Sequence, residues 1–217
     1  MKRFDNIIPI DSNAPQPEQI QTAAEAIIRG ELVVFPTTCL YGLAADALNP
    51  AAVQTIFRAK QRPENNPLLI LVKNQNTVAT LVKSVPSAAE ILMKVFWPGR
   101  LTIVFPARED LPPALTAGTG KIGIRIPVHP VAAALVDMLD TPIIGTSANL
   151  SSQEGCYQIS ALHPHVARHA GLILDAGTLL GGVGSTVVDV TVNPPVVLRE
   201  GIIPAEKIHH ALHKNSK

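Results

Sequence analysis

The stretch Pro36–Leu69, PTTCLYGLAADALNPAAVQTIFRAKQRPENNPLL, decides how the chain is read. An apolar strand, Leu32-Val33-Val34-Phe35, breaks into a polar Pro-Thr-Thr-Cys turn. A helix opened by Asn49-Pro50 follows, because Pro fits the first helical position and Asn can cap it. That helix ends in cations on alternate positions, Arg58, Lys60 and Arg62, just before Asn66-Pro67 and a second apolar strand at 68–72. Hydroxyls at one strand end and clustered cations beside the next suit a small anionic substrate.

On the N-terminal side, residues 16–29 have the period of an amphipathic helix, with Ile20, Ala23, Ala24, Ile27 and Ile28 on one face and Gly30 as its stop. On the C-terminal side, helices are expected at 75–83 and 87–96, closed by Trp97-Pro98-Gly99. A strand at 101–105, a loop at 112–120 and an alternating strand at 123–126 come next. A helix from Pro130 to about Asp140 leads to a strand at 142–145, then a polar loop at 151–158 and a helix near 160–168. Strands near 172–175, 186–190 and 196–199 and a helix at 205–213 complete the chain. Helices alternate with strands early and strands crowd late. The fold class expected is therefore mixed α/β: a single twisted open sheet of parallel and antiparallel strands with flanking helices. Neither a Gly/Ser-rich linker nor an internal repeat divides the chain, so residues 1–217 read as one domain with its core at about 16–208.

Composition narrows the class. Of 217 residues 47% are hydrophobic and 16% charged, which describes a globular chain. The formal net charge of +1 gives no global sign of nucleic-acid or membrane binding. The two cysteines, Cys39 and Cys156, form neither a disulfide framework nor a metal motif, which fits a reducing, cytoplasmic setting. The N-terminus lacks the apolar core of a signal peptide, and no apolar run has the length of a membrane span.

Several segments could carry chemistry, each with a plain structural alternative. The Arg58–Arg62 cations could merely complement a helix C-terminus, but Pro63 and Pro67 fix a turn that presents Arg62 and Asn66, and guanidinium suits phosphate. Gly145-Thr146-Ser147-Ala148-Asn149 directly follows a strand, a frequent ligand position in α/β sheets, although a polar turn would look similar. The glycine-rich GTLLGGVGST, 177–186, lacks the Gly-Lys-Ser/Thr ending of a P-loop. Its amides could still cradle an anion, with Ser185 and Thr186 adding hydroxyls, or it could be a plain hairpin. Arg125 and Arg199 stand in apolar strands, where an Arg either faces solvent or meets an anion. The seven histidines show no metal spacing, Cys39 has no evident base, and no Ser-His-Asp order or H-E-x-x-H appears. Anion binders without a protein nucleophile suit phosphoryl or nucleotidyl transfer, in which the substrates supply nucleophile and leaving group.

PTTCLYGLAADA, IFRAKQRPENNPLLILV, WPGRLTIVF, GIGIRIPVHP, TSANLS, GSTVVDVT and VLREG occur here in the order seen in the YrdC-like family, and the chain resembles its short form from about residue 16 to 208. That family includes the threonylcarbamoyl-AMP synthases of tRNA modification. The resemblance implies a YrdC-like fold with a cationic cleft. It implies a nucleotidyltransferase joining L-threonine, bicarbonate and ATP into threonylcarbamoyl-adenylate, with pyrophosphate released. Other tRNA-modification proteins then use the product to make threonylcarbamoyladenosine. By motif position Lys60 and Arg62 are the implied catalytic cations. Arg62, Asn66, Ser147, Asn149 and Arg199 would contact ATP. Cys39, Arg125, the Gly145 backbone and Ser185 would meet threonine, and Tyr41 would shape the wall. Magnesium would be held by the nucleotide, with no metal site on the protein. Against the family pattern P-T-[DE]-T-x-Y-G-L, Thr38 replaces the acid and Cys39 the second threonine. Leu71 stands where a threonine-binding His is frequent. Two other readings stand beside this one: a relative that adenylates a different carbamate, and a non-catalytic module binding double-stranded RNA or tRNA.

Overall fold

The computed structural model describes residues 6–214; the ends of the expected 1–217 span lie outside the described residues. The strands are β1 (Ile7–Pro9), β2 (Leu32–Pro36), β3 (Tyr41–Ala44), β4 (Leu69–Leu71), β5 (Leu101–Pro106), β6 (Lys121–Arg125), β7 (Ile143–Ile144), β8 (Thr146–Ser147), β9 (Ala170–Asp175), β10 (Thr186–Asp189) and β11 (Val196–Arg199). The helices are α1 (Pro17–Ile28), α2 (Pro50–Lys60), α3 (Gln75–Ala79), α4 (Ser87–Phe96), α5 (Pro113–Thr116), α6 (Pro130–Met138), α7 (Pro164–His169) and α8 (Ala205–Lys214).

The strands do not form the single sheet expected from the sequence. They form two mixed sheets, one of five strands in the order β1-β9-β2-β3-β8 and one of six in the order β11-β10-β5-β6-β4-β7. The division falls inside the expected strand 142–145. Ile143 and Ile144 pair antiparallel with β4 in the larger sheet. Two residues on, Thr146 and Ser147 pair with β3 in the smaller one. Gly145 is the crossing point. Its N–H donates to the Leu69 carbonyl at 3.1 Å, and a Cβ there would lie 2.5 Å from Leu71 Cγ. The sheets are tied beside this crossing, where Asp46, just past β3, bridges Ile143. Gly145→Ala is expected to cost about 1–3 kcal/mol, because the fully buried Leu71 must shift to admit a methyl group. An unchanged urea midpoint would contradict that packing.

Side-chain alternation places the core. In β2, Val33 and Phe35 face a layer formed by α1 and α6, including Ile20, Ile27 and Leu135. Leu32 and Val34 face the larger cluster with α2 residues Val53 and Ile56. A continuous apolar run buried on both faces is what a central strand requires. In α1, Ile20, Ala23, Ala24 and Ile27 of the expected face are buried, Ala26 joins them, and Ile28 is instead 69% exposed. The start of α2 follows its sequence signal. Asn49 caps it by accepting from Ala51 N and Ala52 N at 3.0 and 3.2 Å, with Pro50 in the first turn. Gln61 closes it in the left-handed conformation, φ 48°.

In the larger sheet, the even-numbered apolar positions Ile122 and Ile124 of β6 and the odd-numbered Leu101, Ile103 and Phe105 of β5 enter the core. Residues of the other parity, Thr102, Val104, Lys121, Gly123, Arg125, Val187 and Asp189, face a cleft. One face of this sheet is thus core and the other is the floor of the candidate site.

Candidate functional site

The cleft has a volume of about 720 Å³ and is walled by both sheets. The Thr37–Leu40 turn and Ser147–Asn149 come from the smaller sheet and its connections; the floor and the Arg199 wall come from the larger. Cys39, Arg62, Asn66, Arg125, Gly145, Ser147, Asn149, Ser185 and Arg199, dispersed in sequence, all reach it.

The three cations at the end of α2 part company. Arg58 turns outward, bonding Thr55 Oγ1 at 2.8 Å. Arg62 enters the cleft, held by Asn66 O at 3.0 Å, Asn66 Oδ1 at 2.9 Å and Pro67 O at 2.8 Å. The Pro-fixed turn therefore positions Arg62. Lys60 is 1% exposed and lies behind the wall; it is absent from the described residues lining the cleft. Its Nζ donates to Ser147 O at 2.5 Å, Asn149 O at 2.8 Å and Asn149 Oδ1 at 3.0 Å. Ser147 Oγ donates to the same Asn149 Oδ1 at 2.5 Å. Three donors meet three acceptors, so the ammonium organises the Ser-Ala-Asn turn from within.

Burial, and after it the charge of Arg62, lowers the Lys60 pKa from 10.5 to about 7. The charged lysine is therefore disfavoured by folding. Its destabilising effect is fully present below about pH 7 and is relieved as pH rises toward the unfolded value. A polyanion in front of the Ser147–Asn149 turn reverses that preference by favouring the ammonium. Binding of a polyphosphate above pH 7 is accordingly expected to take up as much as about one proton, with affinity falling up to about tenfold per pH unit. Calorimetry in buffers of different ionisation enthalpy checks this. Absence of proton uptake between pH 7 and 9 would contradict it.

The remaining cations follow one another around the cleft. Arg199 donates to Ser185 O at 2.8 Å, and burial lowers its pKa. Burial and then the charge of Arg199 lower that of Arg62. Arg125 is lowered to about 10 by burial, then by Arg100 and Arg199, and its Nε is buried without a hydrogen-bond partner. Among the described residues none of Arg62, Arg100, Arg125 and Arg199 has an ion pair. Among the described residues, the one carboxylate lining the cleft, Asp189, is committed to Lys121 at 2.8 Å and to Thr191. Cations held together without counter-ions await an anion from outside.

On the expected amino-acid side the arrangement is more particular. Ser185 Oγ shares a hydrogen bond with Thr102 Oγ1 at 3.0 Å. The Gly145 N–H is spent on Leu69, and Gly145 lines the cleft. Cys39 Sγ accepts from Arg100 at 3.2 Å. Leu71 is fully buried in the core under Gly145 and does not line the cleft. Tyr41 is fully buried; its hydroxyl donates to Gly177 O at 2.7 Å and accepts from Ala176 N at 3.0 Å, anchoring the glycine-rich segment. That segment also ties to the turn through Gly181 N and Cys39 O at 2.9 Å. Sequence reasoning did not single out Arg100 or Lys121. The signal was available: both alternate with inward apolar residues, as Arg125 does.

Two sheets enclosing a cleft of uncompensated arginines, with no nucleophile–base pair, define an α/β protein built to bind a polyanion. The chain belongs to the Sua5–YciO–YrdC family, whose model, described as "Telomere recombination", matches residues 25–201. It is 40% identical over 194 residues to a threonylcarbamoyl-AMP synthase of Pyrococcus abyssi, covering 89% of this chain and 57% of that protein. A putative threonylcarbamoyl-AMP synthase of Mycobacterium tuberculosis is 36% identical, with 90% of this chain and 92% of that one covered. The chain thus spans little more than half of the archaeal relative and nearly all of the mycobacterial one. Among solved structures, P. abyssi Sua5 complexed with L-threonine superposes with a TM-score of 0.86 at 39% identity, covering 94% of this chain and 60% of that one. Escherichia coli YciO superposes at 0.85 and 28% identity, covering 94% of this chain and all of that one.

Proposed function

We propose that the protein is a threonylcarbamoyl-AMP synthase, a nucleotidyltransferase acting on ATP, bicarbonate and L-threonine for threonylcarbamoyladenosine modification of tRNA. The observation that carries this reading is the cleft, in which Arg62, Arg100, Arg125 and Arg199 converge without a protein carboxylate to neutralise them. Similarity to synthases over about nine-tenths of the chain supports it. The threonine amine takes up bicarbonate to give a carbamate and water. A carbamate oxygen then attacks the α-phosphorus of ATP, and the bond to the β-phosphate bridging oxygen breaks, releasing pyrophosphate. Every bond change lies within the substrates, so the protein contributes position and charge.

Arg62 and Arg199, with Asn66, Ser147 and Asn149, hold the nucleotide in this reading. Arg125, Ser185, Cys39 and the Gly145 backbone face the amino acid. Lys60 acts through the Ser147–Asn149 turn. The cleft offers Asp189 as its one carboxylate, already paired, and no group of three His, Cys, Asp or Glu suited to a metal occurs among the described residues. A magnesium ion would accordingly be carried by the nucleotide phosphates, where it would neutralise charge on the leaving pyrophosphate. We further propose that the chain acts as one domain, since each sheet supplies part of the cleft. No helix among the described residues is long and apolar enough to cross a membrane.

One observation favours a second reading, a related adenylation with a different amino acid: Leu71 lies in the core and Cys39 is engaged by Arg100. Incubation with ATP, bicarbonate and a panel of amino acids, followed by mass spectrometry, separates the two. Threonylcarbamoyl-AMP as the main product supports the first; a carbamoyl-adenylate of another amino acid, with none from threonine, overturns it.

A further inference from the structure

Arg100 immediately precedes β5 and lines the cleft. The β5–β6 pairing runs from Pro106 and Lys121 to Ile103 and Ile124, which leaves Arg125 at the end of β6 beside the start of β5. The Gly99 N–H donates to Ile126 O at 2.9 Å, so Arg100 stands beside the end of β6 that carries Arg125, and both line the cleft. Two long side chains placed so, near enough that, after burial, the charge of Arg100 lowers the Arg125 pKa, can hold one small anion between them. One terminal nitrogen of Arg100 is anchored to Val183 O at 2.8 Å and Cys39 Sγ at 3.2 Å. These bonds engage one edge of the guanidinium, and no carboxylate neutralises it among the described residues. Arg125 Nε, buried and without a partner, belongs to the same cleft. Two cations cost more to hold together than one, so the pair is explained most simply by a ligand that meets both.

We propose that Arg100 is a further substrate-binding residue, which with Arg125 bridges the carboxylate of the amino-acid substrate. This rests on the synthase reading above. The carboxylate accepts from both guanidiniums, while Ser185 and Cys39 flank the α-carbon and side chain. Position 71 cannot assist, because its side chain is packed beneath Gly145. Arg100 stabilises the carboxylate from the opposite side of Arg125, and its bonds to Val183 and Cys39 fix its reach.

The test varies threonine at saturating ATP, then ATP at saturating threonine, for wild type, Arg100→Gln and Arg100→Lys. Arg100→Gln should raise the threonine KM about tenfold or more, the loss expected on removing a charge-assisted hydrogen bond. The ATP KM should stay within about twofold, and Arg100→Lys should show a smaller loss of the same one-sided kind. Threoninol, which lacks the carboxylate, serves as a competing ligand whose inhibition constant the substitutions should leave nearly unchanged. An unaltered threonine KM in both variants overturns the inference. So does a parallel rise in both KM values, or an equal penalty for threoninol, since either would place Arg100 as a support for the 177–184 segment. If wild type forms no adenylate from threonine, the synthase reading has failed instead. Arg100→Gln and wild type would then be compared on whichever amino acid is used, and an unchanged KM there would overturn the carboxylate role independently.

Discussion

Arg62→Ala is expected to lower kcat/KM for ATP by about 10²–10³-fold, the scale of losing one preorganised charge at a developing anion. The side chain is fixed by three hydrogen bonds to Asn66 and Pro67, so the guanidinium stands in place before the nucleotide arrives. Arg62→Lys keeps the charge and loses the fork, and should fall between alanine and wild type. The substitution removes a cation destabilised by burial and by Arg199, so thermal unfolding should change little. Steady-state kinetics with a melting curve on each variant decides the matter. A kcat/KM within about threefold of wild type would remove Arg62 from the phosphate site, given the magnitudes usual for such groups.

Lys60→Met is the second large effect, and it differs in kind. Methionine fills a similar volume but leaves Ser147 O and Asn149 O without the Lys60 donor, and Asn149 Oδ1 with Ser147 Oγ alone. Each buried acceptor left unpaired costs about 1–3 kcal/mol, offset in part by removing a buried charge. The Ser-Ala-Asn turn should loosen, and kcat/KM for ATP should fall about a hundredfold through lost positioning. The diagnostic is pH. Wild type should lose ATP affinity as Lys60 deprotonates above about pH 7, whereas Lys60→Met should be flat over the same range. A variant that retains the wild-type pH profile would show that another group carries the proton.

The parts of the fold fixed by local chemistry were legible. The Asn49-Pro50 cap, the apolar strand Leu32–Phe35 and the alternating strand through Arg125 each carry their signal within a few residues. The division into two sheets was not legible. It depends on Gly145 sending two residues to β4 and the next two to β3, a choice made by partners far away in sequence. Tyr41–Ala44, for which the sequence suggested no element, is a fully buried strand between β2 and β8. Ile7–Pro9 is short, and its pairing with β9 spans most of the chain.

The site was legible to a similar degree. Each expected contact residue except Lys60 lines the cleft, because motif residues gather where strands end at its mouth. Alternate spacing of Arg58, Lys60 and Arg62 suggested one cluster, but the helix ends between them. Lys60 turns inward on the last turn of α2, Arg62 follows the left-handed Gln61, and Arg58 points to solvent. Arg100 was hidden in plain sight. Its meaning comes from its place beside Arg125 on β6, and that register is absent from any single segment.

The central claim is that this cleft joins bicarbonate and threonine to AMP. The most direct measurement supplies the protein with ATP, L-threonine and ¹³C-bicarbonate and follows the adenylate by mass spectrometry. The account predicts threonylcarbamoyl-AMP carrying the label, formed with pyrophosphate, and no such product when any one substrate is omitted. Pyrophosphate release without label in an adenylate, or a labelled adenylate that forms without threonine, would contradict it.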